Sequence, residues 1–188
     1  RVFDGLWFRS AGTISVRTAQ RLEVALEPEV VHASGEPRIA GSTPTNGLLF
    51  GKLQATQLSG TLRASLTFTP RFSLQTYAQL FVASGHYDDF SVYTGRRGRG
   101  AVVHRDSLVA TTKPADNPDF VDAALNMNVV FRWEYMLGST LYLVYTRSQS
   151  PRLGLSPNQR ATLDLGLLDR APAVDTILLK ASYFFGGH

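Results

Sequence analysis

Two groups of residues carry side chains suited to chemistry. His86, Asp88 and Asp89 fall together, and His104, Arg105, Asp106 and Ser107 follow further along the chain. A histidine beside a carboxylate can serve as a general base on water. A hydrolase using His86 or His104 with the neighbouring aspartates is therefore the enzymatic reading. No nucleophile motif of the G-x-S-x-G type accompanies these residues. The four histidines, at positions 32, 86, 104 and 188, show no metal-ligand spacing, and no calcium-loop pattern surrounds Asp88. No cofactor and no metal are expected, and the favoured role is non-enzymatic. The densest cationic stretch is Gly95-Arg96-Arg97-Gly98-Arg99-Gly100, with Arg105 close behind. Guanidinium groups grip phosphate in a two-pronged fork. The plain alternative is a solvated loop. Without interleaved aromatics or helical context the run does not point to nucleic acid.

The elements that would carry these residues follow from composition and period. The chain has 188 residues, 44% hydrophobic, 11% aromatic and only 18% charged, with a formal net charge of +4 and no cysteine. A disordered polyelectrolyte is excluded by the aromatics and the low charge, and a disulfide-stapled miniprotein by the missing cysteines. Apolar runs reach only about four residues, far short of the roughly 18 that a membrane-crossing helix needs. No basic and then apolar leader opens the chain, so any secretory leader has been removed or was never included.

Alternation with period two dominates. Leu22, Val24, Leu26, Pro28 and Val30 share one parity, as do Leu58, Gly60, Leu62, Ala64, Leu66 and Phe68. Ala123, Leu125, Met127, Val129, Phe131, Trp133 and Tyr135 form the clearest apolar row. The pattern predicts seven strands, near 2–18, 21–33, 48–69, 71–84, 122–137, 139–149 and 176–185, with 100–112 as a candidate eighth. Short connections near 18–20, 69–71 and 137–139 alternate with long ones at 34–47, 85–121 and 150–175. Residues 159–170 are expected to form the single short loop helix.

Tight turns at one end and long loops at the other, on strands this long, are the layout of an up-and-down transmembrane β-barrel. The opposite parity carries Arg63, Gln75, Asn126, Asn128, Arg132 and Glu134 in mid-strand, where a dry core would reject them. These six are the predicted lumen-facing residues, with Arg132 and Glu134 in a charge ladder across strands. Aromatics gather near strand ends, as the interfacial girdles of a membrane barrel require. Ile177, Leu179, Ala181, Tyr183 and Phe185 make a closing strand of alternating apolar residues ending in an aromatic. That strand resembles the signal read by the outer-membrane assembly machinery. Gly186-Gly187-His188 trails it as a tail.

Three stretches resemble the DUF5916 proteins, a bacterial family. One runs Phe68-Thr69-Pro70-Arg71-Phe72-Ser73-Leu74-Gln75 and continues through Gly85-His86-Tyr87. Another runs Val130-Phe131-Arg132-Trp133-Glu134-Tyr135 and continues from Gly138 to Thr146. Lys180-Ala181-Ser182-Tyr183-Phe184 looks like the family's closing strand. In that family a carbohydrate-binding-like domain precedes a large C-terminal barrel. The resemblance implies an outer-membrane location and a possible link to glycan handling, and it supplies no catalytic residues.

The sequence thus predicts an all-β, antiparallel up-and-down transmembrane barrel over residues 1–185. Seven or eight strands are visible, as the C-terminal portion of a larger barrel in a bacterial outer membrane. A pore, transport or scaffold role is expected. Predicted partners are outer-membrane lipid, lipopolysaccharide touched by Arg96, Arg97, Arg99 and Arg105, the assembly machinery, and other membrane or periplasmic proteins. The competing reading is a soluble lipocalin-like barrel that turns its apolar parity inward around a small apolar ligand.

Overall fold

In the computed structural model, which describes residues 5–18, 21–43, 47–95, 102–151 and 155–185, alternation becomes one antiparallel sheet. Its strands are β1 Leu6–Ala11, β2 Ile14–Thr18, β3 Leu22–Ser42, β4 Leu48–Thr69, β5 Phe72–Tyr93, β6 Val109–Ala110, β7 Phe120–Met136, β8 Ser139–Gln149 and β9 Ala173–Ser182. The order is β1-β3-β4-β5-β7-β8-β9, each strand beside its chain neighbour. β1 and β2 are two pieces of one strand interrupted at Gly12 and Thr13, and both pair with β3. Counted that way, seven long strands form an up-and-down meander. The sheet is open, with the β1–β2 edge and the β9 edge unpaired among the described residues.

Three expectations change. β3 and β5 run to Ser42 and Tyr93, about nine residues beyond their predicted ends, because β4 supplies a full-length partner for both. The candidate eighth strand shrinks to Val109–Ala110, which bridges to Ser91 and Val92 at the end of β5. The predicted loop helix is a 3-10 helix of six residues, Leu165–Arg170. Asp164 precedes it in an extended conformation and accepts a hydrogen bond from the Gly166 amide. That local bond and the glycine favour a tight turn over a longer helix.

Register sorts the side chains into two faces, since cross-strand partners share a face. One row reads Val16, Val24, Ala64, Thr76, Val129, Tyr145 and Ile177. The next reads Leu22, Leu66, Leu74, Phe131, Leu143 and Leu179. The apolar stretch does not run square to the strands. On β1–β2 it rises from Val16 toward Leu6 at the long-loop end, whereas on β9 it starts at Ile177 and descends toward Ala181 at the short-turn end. Val16 and Ile177 stand in the same row, at opposite margins of the stretch. Its midline shifts by about seven residues over six strand steps, or about 23 Å along the strands for about 29 Å across them. An apolar slab of uniform height therefore meets these strands at a tilt of about 40°.

Little else buries this face. Among the described residues, the buried hydrophobic ones are Leu49, Val82, Ala83, Phe90, Ala123 and Ala161. The accessible surface is 13157 Å², against about 8,900 Å² expected of a compact monomer of this mass. Leu62, Leu143, Ile177 and Leu179 are exposed. At the short-turn end, Phe68 stacks on Phe72 at 4.9 Å, Phe72 on Phe131 at 6.4 Å, and Trp133 meets Tyr135 at 6.1 Å.

The tight β7–β8 turn depends on Gly138, whose φ of 77° favours glycine. A Cβ there would lie 3.0 Å from the Phe184 Cβ. Gly138→Val combines a left-handed backbone with that contact and should cost about 1–3 kcal/mol. Urea unfolding followed by circular dichroism should show a lower midpoint, and an unchanged midpoint would contradict this geometry.

Candidate functional site

The polar face presents chemistry in rows. Arg63 on β4 pairs with Tyr77 on β5, which pairs with Asn128 on β7 and then Thr146 on β8. Gln79, Asn126 and Ser148 make the next row, where the Ser148 hydroxyl donates to Asn126 Oδ1 at 2.9 Å. The Arg63 guanidinium carbon lies 5.5 Å from the centre of the Tyr77 ring. Glu23, Arg63, Gln75, Tyr77 and Asn128 line a depression of about 460 Å³. Beside it, Glu27, Glu29, Thr61 and Gln79 line another of about 370 Å³. Both open on the polar face.

Ion pairs stiffen one side of this surface. Arg9 grips Glu29 with two bonds, at 2.9 and 3.1 Å, and Arg17 reaches Glu23 at 2.8 Å. Arg63 lies 3.8 Å from Glu27. Exposed pairs of this kind add little to stability, so their main effect is to fix where charge sits. All six predicted polar residues, Arg63, Gln75, Asn126, Asn128, Arg132 and Glu134, fall on this face. Arg132 and Glu134 share one face, as their spacing predicts, but their cross-strand partners Ser73, Tyr142 and Thr140 are uncharged, so the expected charge ladder across strands does not form at these positions. They are two apart on β7 and pair at 3.5 Å along it, because alternation puts such neighbours on one face.

Beyond the apolar stretch, the long-loop end holds a second cluster. The Asp119 side chain is fully buried. Its Oδ1 accepts the Tyr87 amide hydrogen at 2.9 Å, and its Oδ2 lies 2.6 Å from His86 Nδ1. The sequence put Asp88 and Asp89 beside His86, and the fold directs both elsewhere. Gln54 donates to Asp88 at 2.8 Å and Lys52 to Asp89 at 2.6 Å. A bulge causes this. Phe50 pairs with Ser91 and Lys52 with Asp88, so Asp89 and Phe90 face Gly51 alone. Asp89 takes up the extra length at a φ of 45°, which aspartate tolerates better than most residues. The Asp89 carboxylate raises the Lys52 pKa above its ordinary value. Burial does the same for the Tyr87 phenol.

Asp119 is the residue that sequence reasoning missed. It lies 33 positions from His86, and only the β5–β7 register, with Ser84 opposite Val121, brings the two together. His104 and Ser107 stay apart from this cluster's bonds; the Ser107 hydroxyl and amide both turn back to the His104 carbonyl. Arg105 opens a 3-10 turn, Arg105–Ser107. Arg96, Arg97 and Arg99 lie outside the described residues, as do Gly186, Gly187 and His188. Of the closing-strand residues, Ile177, Leu179 and Ala181 lie in β9, while Tyr183 and Phe185 follow it with their rings 4.6 Å apart. Among the described residues, no cluster of three or more histidines, cysteines or carboxylates could hold a metal ion. Among the described residues, no helix is long and apolar enough to cross a membrane either.

No curated protein and no solved structure matches the chain. A family described as a domain of unknown function, DUF5916, matches residues 8–186. That span includes the seven long strands except Leu6 and Trp7 at the start of β1, together with the polar rows and the His86–Asp119 pair. The chain belongs to the DUF5916 family.

Proposed function

We propose that this sheet is part of the wall of a transmembrane β-barrel in a bacterial outer membrane, with a non-enzymatic pore, transport or scaffold role. The observation that carries the reading is the exposed apolar stretch crossing seven strands at about 40°, within the 35–45° tilt of membrane barrels. On β3 it spans Leu22 to Val30, about 28 Å along the strand and about 21 Å at that tilt, close to the roughly 25 Å apolar belt of such barrels. Acyl chains are the occupant that suits a slab of uniform height. The lipocalin-like alternative needs its apolar face inside, but the depressions of about 460 and 370 Å³ open on the polar face.

The polar face would then line the lumen. Its amides and hydroxyls, with Tyr77 among them, suit a hydrated or saccharide-like solute better than an apolar one. Closure has a topological condition. The first and last of seven antiparallel strands run the same way, so joining them directly would make a parallel pair. Copies inserted in the same sense meet the same obstacle. An antiparallel barrel therefore takes an odd number of further strands between β9 and β1–β2. The alternating apolar residues of β9 suit reading by the assembly machinery. A rim hydrolase is less favoured, because Asp119 could orient His86 as a base but among the described residues no hydroxyl bonds to His86 as a nucleophile.

Flotation tests the reading. Diluted from urea into phosphatidylcholine vesicles, the chain should rise with the lipid in a density gradient. A soluble monomer left at the bottom would overturn the membrane reading.

A further inference from the structure

We propose an anionic-lipid headgroup site on the outward, apolar-parity face, just past the long-loop margin of the apolar stretch. This rests on the membrane-wall reading. The segment around the 3-10 helix Leu165–Arg170 folds back against that face. Val121, in register with Ser84 one row beyond the buried pair Val82 and Ala123, lines a depression together with Leu155 and Leu167. Gln149, in register with Leu125 on the same face, donates to the carbonyls of Leu168 and Ala171 at 3.1 and 3.4 Å. Asn117 fastens the segment from the other side, donating to the Ser156 and Gln159 carbonyls at 2.7 and 2.8 Å.

The depression holds about 240 Å³, and its polar wall includes Arg160, Arg170 and Gln159. Neither arginine makes an ion pair or hydrogen bond with a described residue, while Arg9, Arg17, Arg38, Arg63, Arg132 and Arg147 all pair with carboxylates. Asp164 also lines the wall, but its Oδ1 accepts the Gly166 amide at 2.9 Å. Two guanidiniums that engage no described residue, above an apolar floor, suit a phosphate on a lipid, with the phosphate in the fork and the acyl chain continuing down the outward face. Position selects lipid over free phosphate. On β8 the apolar stretch ends at Tyr145, Arg147 follows on the same face, and exposed Leu163 and Leu165 flank the site. That is headgroup height for the leaflet on the long-loop side.

The test uses phosphatidylcholine vesicles doped with a fluorescent bis-phosphorylated glycolipid, and measures its enrichment around the refolded chain by energy transfer from tryptophan. The wild type should enrich the glycolipid over its dephosphorylated form. Arg160→Ala with Arg170→Ala should lower the apparent affinity about thirtyfold, whereas Arg21→Ala with Arg71→Ala, at the short-turn end, should leave it unchanged. Millimolar inorganic phosphate should not compete. Equal enrichment by the double variant, or of the dephosphorylated lipid, would overturn the site. Full competition by phosphate would replace it with a soluble-anion site. The double variant should still float with vesicles. A wild type that fails to float refutes the membrane-wall reading instead, and this site with it.

Discussion

Leu62→Arg and Val129→Arg should each destabilise the protein in a bilayer by about 2–4 kcal/mol, the cost of an arginine on the lipid face near the midplane of a membrane barrel. Leu62 pairs with Leu26 and Ala78, and Val129 with Thr76 and Tyr145, all on the apolar face. Asn128→Arg is the matched control. It is adjacent to Val129 on β7 but opposite Tyr77 on the polar face, and its cost should be within about 0.5 kcal/mol of zero. Equilibrium unfolding in vesicles measures all three. Equal losses at positions 128 and 129 would mean that the two faces do not meet different solvents.

Asp119→Ala should cost about 1–3 kcal/mol, because it leaves the Tyr87 amide and the His86 ring without their acceptor. The loss should be local. Asp119 joins the segment entering β7 to β5, so limited proteolysis between 102 and 118 should accelerate while the short-turn end stays protected. Asp119→Asn keeps an oxygen for the Tyr87 amide and should lose less. Identical cleavage of wild type and Asp119→Ala would show that the buried carboxylate does not hold this loop.

The sequence made the apolar stretch of the sheet legible because alternation there is uninterrupted. Leu22–Val30, Leu58–Leu66 and Ala123–Trp133 each keep one apolar parity, and the register joins those parities into one face. The outer halves of β3 and β5 were illegible for a physical reason. Bulges between Ser34 and Glu36, between Ile39 and Gly41, and at Asp89 flip the parity within a few residues, which erases any period-two signal. The polar face with Arg63, Gln75, Asn126 and Asn128 could be read from parity alone. Its acidic border could not, since pairing Glu23 and Glu29 with Arg17 and Arg9 needs the register of an edge strand broken at Gly12. The His86–Asp119 pair lay beyond reach for the same reason. The helix expected over 159–170 gave way because its leucine spacing was local, while Asp164 and Gly166 favoured a turn.

The two tryptophans offer the most direct test, because the fold puts one on each face. Trp133 pairs with Phe72 and Leu141 on the apolar face, and Trp7 pairs with Ala33 on the polar face. Trp7→Phe and Trp133→Phe each leave a single emitter, to be measured in phosphatidylcholine vesicles with brominated acyl chains. Trp133 alone should be strongly quenched by the bromines, and Trp7 alone should be quenched by aqueous iodide and little by the lipid. Lipid quenching of Trp7 as strong as that of Trp133, or of neither, would contradict a membrane wall with its apolar face turned to the acyl chains.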